Sequence, residues 1–238
     1  MFAPLPLQVF NVINTSYIIL KTNITAFLVS LIILLQACAH QFPPPKYYTT
    51  PEAELTESRI LQTVVKPDSL NLQLLEWAVF YETNLQRNRF GLLPLRYEGN
   101  LQHEARSHSQ EMVQLQYFDH VSPVDANKTV KERLKNAGIN HGGGGENIAI
   151  HPVRKKQHIV FRVLGDSQPS KYNWRNSGTV YTYEEFAQDL VERFLNSAPH
   201  RHNILNSAYQ FLGVGAAPAQ YHHSSVLYVT QNFSSTNY

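Results

Sequence analysis

Cysteine is almost absent from this sequence of 238 residues, which contains a single one, Cys38. One cysteine cannot form an intramolecular disulfide, and it cannot build a zinc site from thiolates. A bound metal would therefore need histidine and carboxylate ligands. The folded part of the chain must be stable without covalent cross-links.

Net charge is also small, because 20 lysine and arginine residues are balanced by 18 aspartate and glutamate residues. No stretch concentrates basic residues with interleaved aromatics, the pattern that binding to a phosphate backbone requires. We therefore expect no nucleic acid partner. The hydrophobic content is 43% and the charged content 16%, which is typical of a chain that folds around a core.

The N-terminal part of the chain has the pattern of an export signal. An apolar run at residues 26–35 follows Lys21 and ends in Leu35-Gln36-Ala37-Cys38, which resembles a bacterial lipobox. We expect residues 1–37 to be an N-terminal extension and signal peptide, and Cys38 to carry the acyl chains of a lipoprotein. The alternative is an uncleaved signal anchor, although the run is short for a span of about 20 residues. Both alternatives export the protein.

Two further regions follow from the composition. Residues 38–68 contain Pro43-Pro44-Pro45 and lack a helical apolar stripe, so they are predicted to form a flexible, lipid-anchored tether. Residues 69–238 are predicted to form one domain. Within it, residues 151–178 form a polar insertion with one strand-like piece at residues 159–164.

Apolar spacing predicts three helices before the insertion and one after it. They run from a cap at Asp68 or Ser69 to Gly91, from Asn100 to about Phe118, from Val130 to Gly138, and from Tyr183 to Ser197, with Pro199 behind the last. Strands are predicted near residues 146–150, 211–217 and 226–233, and the last two would pair as an antiparallel hairpin. The predicted fold class is therefore α+β.

Three short stretches place an ionisable side chain at the edge of an apolar element, where packing alone would not require one. They are Phe118-Asp119-His120-Val121-Ser122-Pro123, Gly145-Glu146-Asn147-Ile148-Ala149, and Ser197-Ala198-Pro199-His200-Arg201-His202-Asn203-Ile204-Leu205. In this order and spacing they resemble the CAP superfamily, also called the SCP domain, and particularly its bacterial branch. Residues 84–95, Gly213-Val214-Gly215 and Gln231-Asn232-Phe233 extend the resemblance over nearly the whole domain.

The resemblance implies an α-β-α sandwich with a small central antiparallel sheet and an open cleft lined by two histidines and two acidic residues. Residue by residue, His120 and His200 match the cleft histidines, and Glu146 matches the first acid. The position of the second acid falls on Ser197. The nearest acidic residue, Glu192, points away from the apolar face of its helix and is expected in solvent.

Three more polar residues are candidates for the cleft, whereas a histidine on the second helix is not. Ser122, Asn147 and Ser197 are additional cleft candidates because they neighbour the matched residues in the sequence. His108 lies on the apolar stripe of the second helix, where a histidine is more often a hydrogen-bonded core residue than a ligand.

The matched residues allow several kinds of chemistry. His120, His200 and Glu146 could bind Zn²⁺ and leave a fourth position open, although the fold itself requires no cofactor. The same groups could instead share protons, or tie the loops to the sheet through hydrogen bonds. A Ser-His-Glu relay through Ser122 or Ser197 can be drawn, but sequence proximity gives no geometry for it.

The sequence thus predicts an exported, membrane-tethered lipoprotein of the cell envelope. Its cleft is expected to bind a ligand or partner, either lipid or cell-wall material, with or without a divalent metal. The alternative is a metal-dependent or Ser/His hydrolase that acts in the envelope, because the same fold supports more than one function.

Overall fold

The computed structural model describes residues 46–49, 59–139, 142–155, 178–221 and 224–236. These ranges contain six α-helices: α1 (Lys46–Thr49), α2 (Leu72–Arg89), α3 (Gly99–Gln114), α4 (Val130–Asn136), α5 (Tyr183–Asn196) and α6 (Ala198–Leu205). They also contain the strands β1 (Arg96–Tyr97), β2 (Gly144–Pro152), β3 (Phe211–Tyr221) and β4 (Ser224–Ser234). Short 3₁₀ helices occur at Ile60–Gln62, Pro67–Ser69 and Asp125–Asn127.

The four strands form one sheet in the order β1-β3-β4-β2. β3 and β4 pair antiparallel with Gly215 opposite Thr230, which confirms the predicted hairpin. β2 pairs antiparallel with β4 and places Glu146 opposite Asn232. The two-residue β1 runs parallel to β3, so the sheet is antiparallel except at this edge.

Helices cover both faces of the sheet. Val214 of β3 belongs to the main core, which also contains the apolar residues of α2 and α5. Gly213 and Gly215 face the opposite side, where a Cβ atom on Gly215 would lie 2.0 Å from the backbone nitrogen of Arg106 in α3. Glycine is therefore needed here because α3 packs directly on the backbone of β3. This arrangement is the α-β-α sandwich that the family resemblance implies.

Two helix boundaries differ from the prediction. α2 begins at Leu72 because Asn71 is its cap, accepting a hydrogen bond from the backbone of Leu74. The predicted cap residues Asp68 and Ser69 lie in a separate 3₁₀ helix. α3 ends at Gln114, before the predicted Phe118, and Gln116 just beyond it has a positive φ of 57° that a helix cannot continue through.

A short helix that the sequence pattern did not predict follows α5. Pro199 does follow the end of α5, but it also stands in the first turn of α6, where a proline has no backbone hydrogen bond to lose. His200 is therefore part of a helix and not of a loop. Its position depends on how α6 packs against the sheet.

Part of the segment predicted as a tether packs on the domain. The Tyr48 ring lies 4.2 Å from the Tyr97 ring and 5.1 Å from the Phe80 ring, measured between centroids. Val65 is fully buried, and its backbone nitrogen donates to the carbonyl oxygen of Tyr181 at 2.9 Å. The packed region thus begins before residue 69, where the domain was predicted to start.

The flanks of the predicted insertion pair with each other. Arg154 forms an isolated antiparallel bridge with Val180, and the backbone of Lys155 donates to Thr179 at 2.8 Å. The strand-like piece at residues 159–164, the apolar run at residues 26–35 and Cys38 lie outside the described residues. None of the helices in the described ranges has the length and apolar composition of a membrane span.

Candidate functional site

His120 and Glu146, two of the three residues matched from sequence, form a direct pair. His120 lies in the loop after α3, and Glu146 is the third residue of β2. The Nδ1 atom of His120 is 2.8 Å from Oε1 of Glu146. The imidazole is 46% exposed whereas the carboxylate is 1% exposed, so a buried anion supports a histidine that solvent can reach.

The second carboxylate oxygen of Glu146 faces two buried basic groups. Arg133 of α4 donates from Nη2 to Oε2 at 2.6 Å. Nδ1 of His108 in α3 lies 3.1 Å from the same oxygen, without the alignment of a hydrogen bond. Burial by itself would raise the pKa of Glu146, but the His108 and His120 imidazoles and the Arg133 charge outweigh it and lower that pKa to about 2. Glu146 is therefore ionised in the folded protein.

A second buried carboxylate, Glu104 of α3, lies on the far side of Arg133. Its Oε1 atom is 3.1 Å from Nε of Arg133, and its Oε2 accepts a hydrogen bond from the Asn232 side chain. Burial raises the pKa of Glu104 to about 7, an effect that Arg133 opposes and the negative charge of Glu146 reinforces. One guanidinium thus stands between two carboxylates with very different proton affinities.

Stability should respond to Glu104 between pH 4.5 and 7. In this window the unfolded chain has lost the carboxyl proton and the folded chain still holds it, so this group favours folding less as the pH rises. Moving a pKa from 4.5 to about 7 corresponds to roughly 3 kcal/mol. We expect Glu104→Gln, which cannot ionise, to gain about that much unfolding free energy relative to wild type across the window.

Urea unfolding of both proteins at several pH values measures this difference. The exposed Glu192→Gln is the control, and its curve should run parallel to wild type. Parallel curves for Glu104→Gln as well would show that Glu104 ionises normally in the folded protein.

His200 approaches the pair from α6. Its ring packs edge-on against the Phe194 ring at 5.1 Å, and its backbone oxygen accepts from the Asn147 side chain at 3.2 Å. Asn203, one turn later, donates to the backbone oxygen of Glu146 at 3.1 Å and to the side-chain oxygen of Asn147 at 2.9 Å. Two asparagines therefore fasten α6 to β2. Burial, and then the nearby His120, lower the pKa of His200, so its ring is neutral at neutral pH.

The serine candidates have other partners or positions. Ser122 is 2% exposed, and its hydroxyl donates to Glu111 at 2.6 Å and accepts from the backbone of Val124 at 2.9 Å. This hydroxyl is therefore committed to Glu111 of α3. Ser197 is the cap residue of α6, but its side chain makes no capping hydrogen bond. Glu192 is exposed, as the helical spacing predicted.

The sequence patterns did not assign His108 or Arg133 to the site, although both contact Glu146. His108 is buried, as predicted for a histidine on an apolar stripe, but it also faces the carboxylate of the site. Arg133 was not singled out, because an arginine in a short amphipathic helix is usually solvated. The available signal was its place between Val130 and Leu134 on the apolar side of α4.

Two imidazoles of different kinds lie in this region. Because ionised Glu146 can only accept, Nδ1 of His120 donates to it, and Nε2 is the ring nitrogen left for a ligand. His200 is a neutral neighbour. Within the described ranges, no three His, Cys, Asp or Glu side chains are arranged to hold a metal ion.

Comparisons with known proteins show which families and proteins this chain is similar to. The family model CAP, described as the cysteine-rich secretory protein family, matches residues 80–233. The chain is 29% identical over 167 residues to the uncharacterized protein YkwD of Bacillus subtilis, covering 70% of this chain and 51% of that protein. It is 30% identical over 151 residues to the uncharacterized membrane protein YlbC of the same organism, covering 63% of this chain and 32% of YlbC. The matches thus span about half of YkwD and a third of YlbC.

Solved structures give partial matches as well. An extracellular protein containing an SCP domain from Bacillus anthracis is 25% identical, with a TM-score of 0.48 over 78% of this chain and 50% of that one. A cysteine-rich secretory protein from Staphylococcus aureus is 15% identical, with a TM-score of 0.41 over 70% of this chain and 40% of that one.

Proposed function

This chain belongs to the CAP family of cysteine-rich secretory proteins, and from that membership we propose that it is an exported cell-envelope protein whose cleft binds a ligand. The ligand is lipid or cell-wall material, bound through His120 and His200 with Glu146 behind them. One observation carries the proposal: a half-exposed imidazole rests on a buried, ionised carboxylate. The anion engages one ring nitrogen, which leaves the other nitrogen of this half-exposed ring for a ligand.

Ligand binding is favoured because buried polar side chains fix the orientation of the exposed His120 imidazole. Glu146 orients the His120 ring, and the two asparagines of the β2–α6 contact hold the segment that carries His200. Pre-oriented side chains lose little entropy when a ligand arrives, which raises affinity for a given set of contacts. Val121, 51% exposed, and Val124, 37% exposed, flank the His120 loop and offer apolar contact beside the imidazole.

The cleft offers a divalent metal fewer protein ligands than a resident metal site has. Both oxygens of Glu146 already accept contacts from basic groups, so this residue suits a supporting role behind His120 better than the ligand role predicted from sequence. His120 and His200 would then be the two protein ligands, where resident zinc sites use three or four. A bound zinc ion would act as a Lewis acid toward a ligand in the cleft.

Histidine variants test both the ligand site and the metal. Zn²⁺ titrated into the purified domain should bind at least tenfold more weakly to His120→Ala and to His200→Ala than to wild type. His202→Ala is the matched control, because His202 is exposed on the same helix as His200. Sedimentation of the same variants with isolated cell walls and with anionic vesicles tests the ligand. Equal binding by all four proteins to every probe would refute the cleft as the binding site.

Hydrolysis is the second candidate, since a carboxylate-backed imidazole is also what a general base requires. The engagement of Ser122 by Glu111 favours activated water over that serine as the attacking group. Release of soluble fragments from envelope material, lost in His120→Ala, would support this candidate. Binding without any turnover would reject it.

Attachment to the membrane is the remaining part of the proposal. Cys38 would carry the acyl chains, and the residues after it would connect the anchor to the packed domain. Cys38→Ser should move the protein from the membrane fraction to the soluble exported fraction. Unchanged membrane retention would favour the uncleaved signal anchor.

A further inference from the structure

Arg133 is the point at which three elements around the cleft meet. Its side chain is 3% exposed, and it comes from α4, outside the three stretches that carry the matched residues. The guanidinium reaches Glu146 on β2, Glu104 on α3 and the loop that carries His120. Burying a guanidinium to this degree is costly unless its charge is paired and most of its donors are hydrogen-bonded.

The contacts of Arg133 fall on both halves of the histidine–carboxylate pair. Nη1 donates to the backbone oxygen of His120 at 3.1 Å and to that of Asn127 at 3.0 Å. Nη2 donates to Oε2 of Glu146 at 2.6 Å. The same planar group therefore fixes the backbone of His120 and the carboxylate that orients its ring. Only the fork of an arginine offers donors in this arrangement, because a lysine ammonium is a single point charge.

From this geometry we propose that Arg133 is the positioning residue of the cleft: it holds His120 and Glu146 in register so that the His120 ring presents Nε2 to a ligand. The inference rests on the proposed binding function, which it deepens by naming what aligns the site. Oε1 of Glu104 adds an electrostatic contact to Nε of Arg133 at 3.1 Å, without the alignment of a hydrogen bond. His108 fills the remaining side of the carboxylate.

The ¹⁵N NMR spectrum of the His120 imidazole tests this positioning role without any ligand. A wild-type ¹⁵N-labelled sample at pH 7 should show a protonated Nδ1 on His120 that exchanges slowly with water, because the proton lies in the Glu146 hydrogen bond. In Arg133→Met this resonance should broaden or vanish, and Zn²⁺ affinity should fall at least tenfold. Arg133→Lys, which keeps the charge but not the fork, should recover only part of both.

A destabilised core variant separates positioning from general structural loss. Leu74→Ala in α2 removes a buried side chain far along the chain from these contacts and should leave the His120 resonance unchanged. An Arg133→Met protein that is folded and keeps both the resonance and the affinity of wild type would overturn the proposal. Failure of the proposed binding function would give a different result. Wild type would then bind no probe, while its His120 resonance would still depend on Arg133.

The wild-type protein supplies a measurement that needs no variant. Separate, slowly exchanging guanidinium N–H signals are expected for Arg133, since three of its N–H groups each donate to a different acceptor. A single averaged signal from a freely rotating guanidinium would overturn the proposal even if neither variant folds.

Discussion

Glu146→Gln is expected to lower the free energy of unfolding at pH 7 by about 3–5 kcal/mol. The carboxylate is 1% exposed and neutralises Arg133, so the amide leaves a buried guanidinium beside Glu104, whose own pKa is raised to about 7. The pKa gives an independent figure of similar size, because lowering it from 4.5 to about 2 corresponds to roughly 3 kcal/mol.

The sign of the pH dependence follows from the same pKa. Glu146 ionises at lower pH in the folded chain than in the unfolded one, so its stabilisation is complete above about pH 4.5 and disappears as the pH falls toward 2. Urea unfolding from pH 7 to pH 2 should therefore show the wild-type and Glu146→Gln curves converging in acid. Glu192→Gln is the control and should follow wild type throughout. A loss that stays constant down to pH 2 would show that the carboxylate charge is not its source.

Arg87→Met is expected to cost on the order of 4 kcal/mol, because three backbone oxygens lose their donor. Arg87 lies near the end of α2 and is 2% exposed. Its Nη1 donates to the oxygens of Ile204 at 2.7 Å and Asn206 at 2.9 Å, and its Nε donates to that of Leu93 at 3.0 Å. The two Nη1 bonds hold the carboxyl end of α6, the helix that carries His200.

Two measurements separate this effect from a general loss of packing. Chemical denaturation gives the free energy, with the exposed neighbour Arg89→Met expected to match wild type. Hydrogen exchange should accelerate most in α6, since its carboxyl end has lost its anchor. Uniform acceleration, or an unchanged free energy, would contradict the role assigned to Arg87.

The helices and strands that have a regular apolar pattern were predictable from sequence. α2, α3 and α5 each carry an apolar stripe at helical spacing, and the β3–β4 hairpin corresponds to two β-rich runs separated by a polar loop. The family resemblance also supplied the site residues His120, Glu146 and His200, of which the first two are in contact. Family patterns can do this because motif residues keep their order even when they are far apart in the chain.

The remaining features depend on contacts between distant segments. The sequence did not predict α6, because a proline just after a helix is compatible both with the end of that helix and with the first turn of a second one. The packing of Tyr48 on Tyr97 depends on a neighbour that no local pattern reveals. The carboxylate partners His108 and Arg133 come from two other helices and meet Glu146 only in the folded chain.

The most direct test of the cleft is the imidazole nitrogen spectrum of the wild-type protein, recorded before and after addition of Zn²⁺. We expect Nδ1 of His120 to carry a proton, because ionised Glu146 accepts it, and we expect zinc to shift the resonances of His120 and His200 together while His202 stays unchanged. An Nε2–H tautomer for His120, or shifts that are equally large at His202, would contradict the cleft as described.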